Sequence, residues 1–389
     1  MSQNTHSKRA QHPKIFWVLS AMGYGPNLFY WGEILKRFLK SCPNSIFFSS
    51  GERRLIPGTS HYVENKIYHL PRIGFLKNKI VVLPNFLIAL FREQPDLVVI
   101  SEFGFIPLYV CLVRRLLPKT KILLLVESDS TIGTTKYSGH TRTRIRKFIC
   151  TKANLILTNN NAGYTYLTRG LHVHPEKIEK AVYLTSELHP QSTNNLSNFS
   201  QQKNHKLNFL FVGRLIEWKG LHLLIDAVAQ IDKKRRKQLY ITIAGEGPIK
   251  TALVQQIQKH NLNNCFNLVG FIPYEKLPEL YRNADAFIFP TLWDYRALVG
   301  FEAISVGLPL LYSKWDGAAQ EVVKEGKNGF IIDPYDINSF ASQIVWFIDN
   351  RDKLHLFKEE SEKIALNFTF DKAAYNLVES CKQCLCGVS

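Results

Sequence analysis

The feature that most constrains this chain is an alternation. Short, almost wholly apolar runs are each followed by a longer segment with apolar residues at helical spacing. Ile15–Ser20 precedes "FYWGEILKRFLKSC" and "SIFFSS" follows; "PDLVVIS" (95–101) and "KILLLVE" (121–127) flank the helix-like "IPLYVCLVRRLLP". The rhythm restarts after residue 206 with "LNFLFVG", "LHLLIDAVAQI", "LYITIAG", "IKTALVQQIQKH", "NLVGF", "KLPELYRNA", "AFIFPT", a helix over 298–306 and "LPLLYS". A strand that is apolar on both faces must be covered on both faces, and the interleaved helices supply the cover. The pattern therefore predicts parallel sheets in doubly wound α/β units. At 389 residues the chain is too long for one ordinary core and suits two domains of about 150–200 residues.

The boundary is compositional. "QSTNNLSNFSQQKNHK" (191–206) has almost no apolar content and reads as a linker or surface loop. It separates a first domain (1–190) from a second (207–365), and a C-terminal segment (366–389) is expected to pack back towards the first. Charge divides the same way. Residues 1–190 hold 26 Lys+Arg against 11 Asp+Glu, and the remainder 23 against 21. A field of that kind favours an acidic partner such as anionic lipid, anionic glycan or nucleic acid, although a basic surface without a specific ligand explains it too. No helix-turn-helix, zinc knuckle or RNP-like segment can be placed, so nucleic acid is not expected. Seven scattered cysteines do not form a disulfide framework. Cys381, Cys384 and Cys386 lack a second ligand cluster, and no metal is expected there. No run reaches the roughly 18 apolar residues of a membrane span. The first apolar run reads as a strand and turn, not a signal peptide, and a cytoplasmic protein is expected.

Candidate chemistry gathers at strand ends in the second half. "FLFVG" ends in Gly213-Arg214, and Lys219-Gly220 follows just before a helix; "ITIAG" ends in Gly245-Glu246-Gly247-Pro248. Glycines admit close backbone approach, and cations at a strand end and a helix start suit a diphosphate; an exposed basic loop is the plainer reading. In "LWDYRALVGFEAISVGLPLLYS" (292–313) Asp294 precedes the helix and Glu302 lies on it. Free N–H groups near Arg296, Ala297, Leu298 and Val299 would meet negative charge. Glu302 could accept two vicinal hydroxyls, as acids read ribose; the alternative is an N-cap and a solvated helix residue.

Taken in order, Gly-Arg…Lys-Gly, Gly-Glu-Gly-Pro, "VGFIPYEKLPELYRNADAFIFPT", acid-x7-Glu-Ala-x3-Gly-x-Pro and "QEVVKEGKNGFIIDPYD" resemble the C-terminal half of family 4 retaining glycosyltransferases (glycosyl transferases group 1). The likeness is dense over about 212–350 and looser in "PDLVVISEFG" and "RTRIRKFICTKANLILTNNNAGYTYLTRG". It implies the GT-B fold: two Rossmann-like domains whose parallel sheets face a central cleft. It also implies roles. Arg214 and Lys219 would grip the donor diphosphate, with Gly213 beside them. Glu302 would hold the ribose, and Asp294 would stand where the family usually has a Glu touching the donor sugar. Gly270 and Phe271 would lie near the base. Gly23 and Gly25 would close over the phosphates. The usual Gly-Phe-Gly is replaced by Tyr295-Arg296-Ala297, and Arg296 would either read an acidic or phosphorylated group or face solvent. The family's frequent N-domain histidine is absent; Glu127 is the acceptor-side candidate, with His140, on a loop, as the weaker one.

The implied reaction moves a sugar from a nucleoside diphosphate to an acceptor hydroxyl with retention, in bacterial-type glycan, polysaccharide or glycolipid synthesis. Arginine and lysine would take the place of a metal, and no cofactor is expected beyond the nucleotide-sugar substrate. The acceptor would be a glycan or lipid-linked. "RIGFLKNKIVVLPNFLIALFRE" (72–93) would present it at an anionic membrane or simply pack on the sheet. The rivals are a nucleotide-sugar epimerase or phosphorylase of similar fold, a non-catalytic nucleotide-sugar-binding scaffold, and a basic nucleic-acid-binding protein.

Overall fold

The computed structural model describes residues 13–19, 27–50, 66–70, 73–75, 80–82, 84–127, 140–188 and 206–387. The chain forms two compact units, Met1–Thr185 with Phe370–Ser389, and Ser186–Thr369. The expected linker lies outside the described residues except for Lys206, and so do Gly23 and Gly25.

In the first unit the strands are β1 (Ile15–Val18), β2 (Ser45–Ser50), β3 (Ile67–Leu70), β4 (Ile73–Phe75), β5 (Ile80–Val82), β6 (Leu97–Ser101), β7 (Lys121–Val126), β8 (Leu155–Thr158) and β9 (Ile178–Lys180). Seven of them make a parallel sheet in the order β3-β2-β1-β6-β7-β8-β9, while β4 and β5 pair as an antiparallel hairpin. The segment 72–93 thus supplies that hairpin and the helix Pro84–Glu93. The helix turns Phe86 and Leu90 into the core and leaves Ile88 and Phe91 exposed. The last helix, Phe370–Cys386, belongs to this unit. Its Asp371 Oδ1 accepts from Arg37 Nε at 2.8 Å, and the Arg37 guanidinium lies 5.4 Å from the Phe370 ring centroid. Cys381 and Cys384 are buried on its inner face, and burial pushes the Cys384 thiol up to about 12. Among the described residues no helix is long and apolar enough to cross a membrane.

The second unit holds β10 (Leu207–Val212), β11 (Leu239–Ala244), β12 (Phe266–Gly270), β13 (Ala286–Phe289), β14 (Leu310–Ser313) and β15 (Gly329–Ile332). They form one parallel sheet in the order β12-β11-β10-β13-β14-β15. The strands carry an aromatic stack: Phe287 and Phe211 lie 6.1 and 6.0 Å from Phe289, and Tyr312 lies 5.3 Å from it. Each such buried ring contributes about 2–3 kcal/mol by leaving water. In both sheets a chain-initial strand sits in the middle and the order reverses beside it, between β1 and β6 and between β10 and β13. This is the doubly wound arrangement expected from the sequence.

Candidate functional site

In an open parallel sheet, ligands bind at the carboxyl ends of the strands where the strand order reverses. In the second unit that point lies between β10 and β13. The turn after β10 nests against the turn after β11 so tightly that glycine is required. A Cβ on Gly245 would stand 1.9 Å from the Gly213 carbonyl oxygen, and one on Gly247 would stand 2.2 Å from that of Leu215. The Leu215 N–H donates to the Glu246 carbonyl at 3.0 Å. Arg214, on this platform, is exposed and has no ion-pair partner among the described residues.

The chain continues through a single 3-10 turn, Glu217–Lys219, into Gly220 at φ +70°. A Cβ at Gly220 would lie 1.9 Å from the Pro290 carbonyl oxygen, so glycine lets this turn touch the end of β13. The contact is closed by the Leu292 N–H (2.7 Å) and Thr291 Oγ1 (3.0 Å), which both donate to the Trp218 carbonyl. As a result Lys219 and Asp294, which come from different strand ends, form an ion pair. The ammonium also lies 4.9 Å from the centroid of the Phe289 ring. The two side chains retain 14% and 25% of their exposure, so the pair is partly buried yet open to a ligand.

The loop carrying Asp294 is bolted to the turn after β14. The Asp294 N–H donates to the Trp315 carbonyl (3.0 Å) and the Gly317 N–H to the Asp294 carbonyl (3.1 Å). Under this bridge lies Asp316, a residue that sequence reasoning missed. It is buried. Its Oδ1 accepts from the Ala318 N–H at 2.6 Å, and its Oδ2 from the Ala297 N–H at 3.1 Å and from the Tyr312 hydroxyl at 3.3 Å. Burial, and next the charge of Asp294, push its carboxyl up to about 8 against the pull of the two amides. Burial likewise raises the Tyr312 hydroxyl well above its ordinary value. Asp316 stands at a strand end before a glycine, and that position is the signal that would have found it.

Two expectations are corrected here. The Ala297 amide is taken by Asp316. Leu298, Val299 and Gly300 open the helix Leu298–Ser305, and their N–H groups have no acceptor within it. Arg296 neither faces solvent nor awaits an anion. Its Nε and Nη2 reach Glu321 at 2.8–3.1 Å, and its guanidinium lies 4.1 Å from the centroid of the Phe301 ring. Arg296 thus braces the turn from inside.

Glu302 is fully buried on the same helix. Its Oε2 accepts from the Tyr281 hydroxyl at 2.6 Å and its Oε1 from Ser186 Oγ at 3.2 Å. The carboxylate thus already holds two protein hydroxyls, in the manner proposed for ribose. Gly270 takes φ +78° at the end of β12, and Phe271 beside it is exposed. In the first unit Glu127 follows β7, and its N–H donates to Glu102 Oε1 at 2.5 Å. His140 opens the helix His140–Lys152 and does not lie on a loop. Glu102, the acid at the end of β6, was not singled out from the sequence.

Comparisons with known proteins agree with this geometry. Residues 193–364 match the family described as glycosyl transferases group 1. The chain is 33% identical over 143 residues to glycogen synthase of Mycobacterium tuberculosis, covering 36% of this chain and 34% of that protein. It is 28% identical over 216 residues to spore coat protein SA of Bacillus subtilis, covering 51% of this chain and 57% of that one. The chain therefore spans from about a third to just over half the length of these curated relatives. Among solved structures, Anabaena HepE in complex with UDP superposes over 95% of this chain and 100% of that one, with a TM-score of 0.75 at 18% identity. Motif order and strand order converge with these likenesses: this chain has the GT-B fold, and its residues 193–364 match the glycosyl transferases group 1 family.

Proposed function

We propose that the carboxyl edge of the second sheet binds a nucleoside diphosphate sugar, and that the protein transfers its sugar to a glycan or lipid-linked hydroxyl with retained configuration. The observation that carries this reading is the Lys219–Asp294 pair at the switch point, with Arg214 exposed where β10 ends. A departing diphosphate gains negative charge. Fixed cations and open helix-end amides that meet it lower the barrier without reorganising. In this reading Arg214, Lys219 and the amides at the start of the helix Leu298–Ser305 meet that charge. When phosphate oxygens reach Lys219, Asp294 is released from sole partnership with the ammonium and can accept hydroxyls of the sugar.

In the step itself the bond from the anomeric carbon to the phosphate oxygen breaks. The acceptor oxygen bonds to the same face, and its proton passes to the leaving phosphate oxygen. No protein nucleophile is needed, and Asp294, already paired with a lysine, is a poor one. Two side-chain cations carry the phosphate charge, so no metal is assigned. In this reading Glu302 takes the ribose, with Tyr281 and Ser186 yielding their hydrogen bonds. Glu127 is the acceptor-side candidate. The complexes of HepE with UDP and with UDP-glucose and the likeness to glycogen synthase support a nucleotide-sugar donor and a role in polysaccharide synthesis.

A hydrolysis screen of nucleotide sugars without acceptor tests the reading. One donor class is expected to release its diphosphate slowly, and Lys219→Ala is expected to slow that release by about 10²–10³-fold. Release from no donor, or wild-type release by the variant, would overturn it.

A further inference from the structure

Six tryptophans occur in the chain. Trp17 and Trp31 are buried and Trp346 packs against the second core. The other three are exposed, and all stand on the carboxyl edge of the second sheet: Trp218 (50%) after β10, Trp293 (37%) after β13 and Trp315 (44%) after β14. Tyr335 (59%) continues the series after β15. Leaving a tryptophan in water forgoes about 2–3 kcal/mol of burial each time. A run of such residues on neighbouring strand ends therefore marks a binding surface.

Hydrogen bonds and ring contacts stitch these residues into one band. Thr291 Oγ1 donates to both the Trp218 and the Trp293 carbonyls at 3.0 Å. The Asp294 N–H donates to the Trp315 carbonyl at 3.0 Å. The rings of Trp315 and Tyr335 meet edge to face at 6.4 Å. Trp315 is held in place, with its Nε1–H donating to Asp333 Oδ1 at 3.2 Å and the Lys314 ammonium 4.9 Å from its ring centroid.

We propose that Trp218, Trp293, Trp315 and Tyr335 form a rim on which a glycan chain of more than one pyranose stacks. A pyranose offers an apolar C–H face and a belt of hydroxyls. Exposed rings beside carboxylates match that pairing, as aromatic walls with a few polar groups do in small-molecule sites. Asp333, beside Trp315, supplies an acceptor. Crossing from β10 to β15 covers three strand spacings, about 14 Å, which suits a chain better than a single sugar. An anionic partner fits poorly at the β14–β15 end of the rim: Asp333 and Asp336 stand on these loops, and Lys314 is paired with Asp333 at 2.7 Å.

The test titrates the full chain, without donor, with neutral gluco-, manno- and galacto-oligosaccharides from monosaccharide to hexasaccharide, followed by tryptophan fluorescence and calorimetry. At least one series is expected to tighten with chain length. Trp218→Ala and Trp315→Ala are each expected to weaken it about tenfold or more, while Trp315→Phe retains most of the affinity. Tyr375→Ala, an exposed ring on the helix Phe370–Cys386, is expected to bind as the wild type. Affinities that do not grow with length in any series, or alanine variants that bind unchanged, would overturn the rim. So would binding of phosphatidylglycerol vesicles that the same variants abolish, because the surface would then be lipid-facing. Because no donor is present, these results stand apart from the hydrolysis screen, and either reading can fail alone.

Discussion

The two sheets share one strand order, yet their carboxyl edges are held in different ways. In the second unit, backbone meets backbone: Gly220 against Pro290, Gly245 against Gly213, Gly247 against Leu215. In the first unit, side chains hold the described edge. Glu102 Oε1 accepts the Glu127 N–H, Asn159 Oδ1 accepts the N–H groups of Tyr183 and Leu184 at 3.0 and 3.2 Å, and Asn160 caps the Gly163 N–H at 2.9 Å. The glycine contacts tolerate almost no added atom and leave Arg214 exposed on their platform. A side-chain-held edge spends its polar groups on itself.

The comparison is broken most directly at Gly220. Alanine there must adopt φ +70°, costing about 1–2 kcal/mol, and its Cβ meets a backbone oxygen that cannot swing away. Gly220→Ala is therefore expected to lose about 3–4 kcal/mol in urea unfolding and to separate Lys219 from Asp294. A loss under 1 kcal/mol would mean that the edge is pliable. Next in size is Arg296→Ala. It leaves Glu321, four-fifths buried, without its forked partner and strips the cation from Phe301. About 2–3 kcal/mol is expected, somewhat below a fully buried pair, together with an altered start to the helix Leu298–Ser305.

Asp316 gives a third test, through pH. Its folded carboxyl is raised to about 8 from an ordinary 3.8. Between those values the folded chain keeps a proton that the unfolded chain releases. This contribution to stability is full below pH 4 and is lost as pH rises towards 8, with a slope approaching 1.4 kcal/mol per pH unit. Unfolding midpoints measured from pH 5 to 8 should fall in the wild type and flatten in Asp316→Asn. Parallel curves would show that the carboxyl is ionised throughout. Glu302 is unsuited to a clean activity test by alanine. Glu302→Ala strands the buried hydroxyls of Tyr281 and Ser186, at about 1–3 kcal/mol.

The backbone-held edge was the legible one, for a physical reason. A contact that only glycine permits writes a glycine into the sequence, and Gly213, Gly220, Gly245 and Gly247 stood at strand ends that periodicity had already located. The Lys219–Asp294 pair was not written in either motif, because it depends on β10 and β13 being neighbours in the sheet. Arg296 and Ala297 were misread because their partners, Glu321 and Asp316, lie on a later turn whose register no local pattern announces. Glu302 was placed on the right helix, but Tyr281 and Ser186 reach it from elements distant in sequence. In the first unit Glu127 was found at its strand end. Glu102 was passed over because nothing in "ISEFG" says that a glutamate there adopts φ +62°.

Glu102 also supplies the smallest and sharpest test of the contrast. A non-glycine residue in the left-handed region pays about 1–2 kcal/mol, so Glu102→Gly would stabilise the chain if backbone strain were all that mattered, as it is at Gly220. The Glu102 side chain, however, accepts the Glu127 N–H at 2.5 Å, a charge-assisted bond worth about 1.5–3 kcal/mol. Glycine also adds about 0.5–1 kcal/mol of unfolded-state entropy. The loss outweighs the relief, and Glu102→Gly is expected to destabilise by about 1 kcal/mol. Glu102→Gln, which keeps an acceptor oxygen but not the charge, should fall between the variant and the wild type. A stabilised glycine variant would mean that this edge, too, is governed by its backbone, and the distinction between the two sheets would fail.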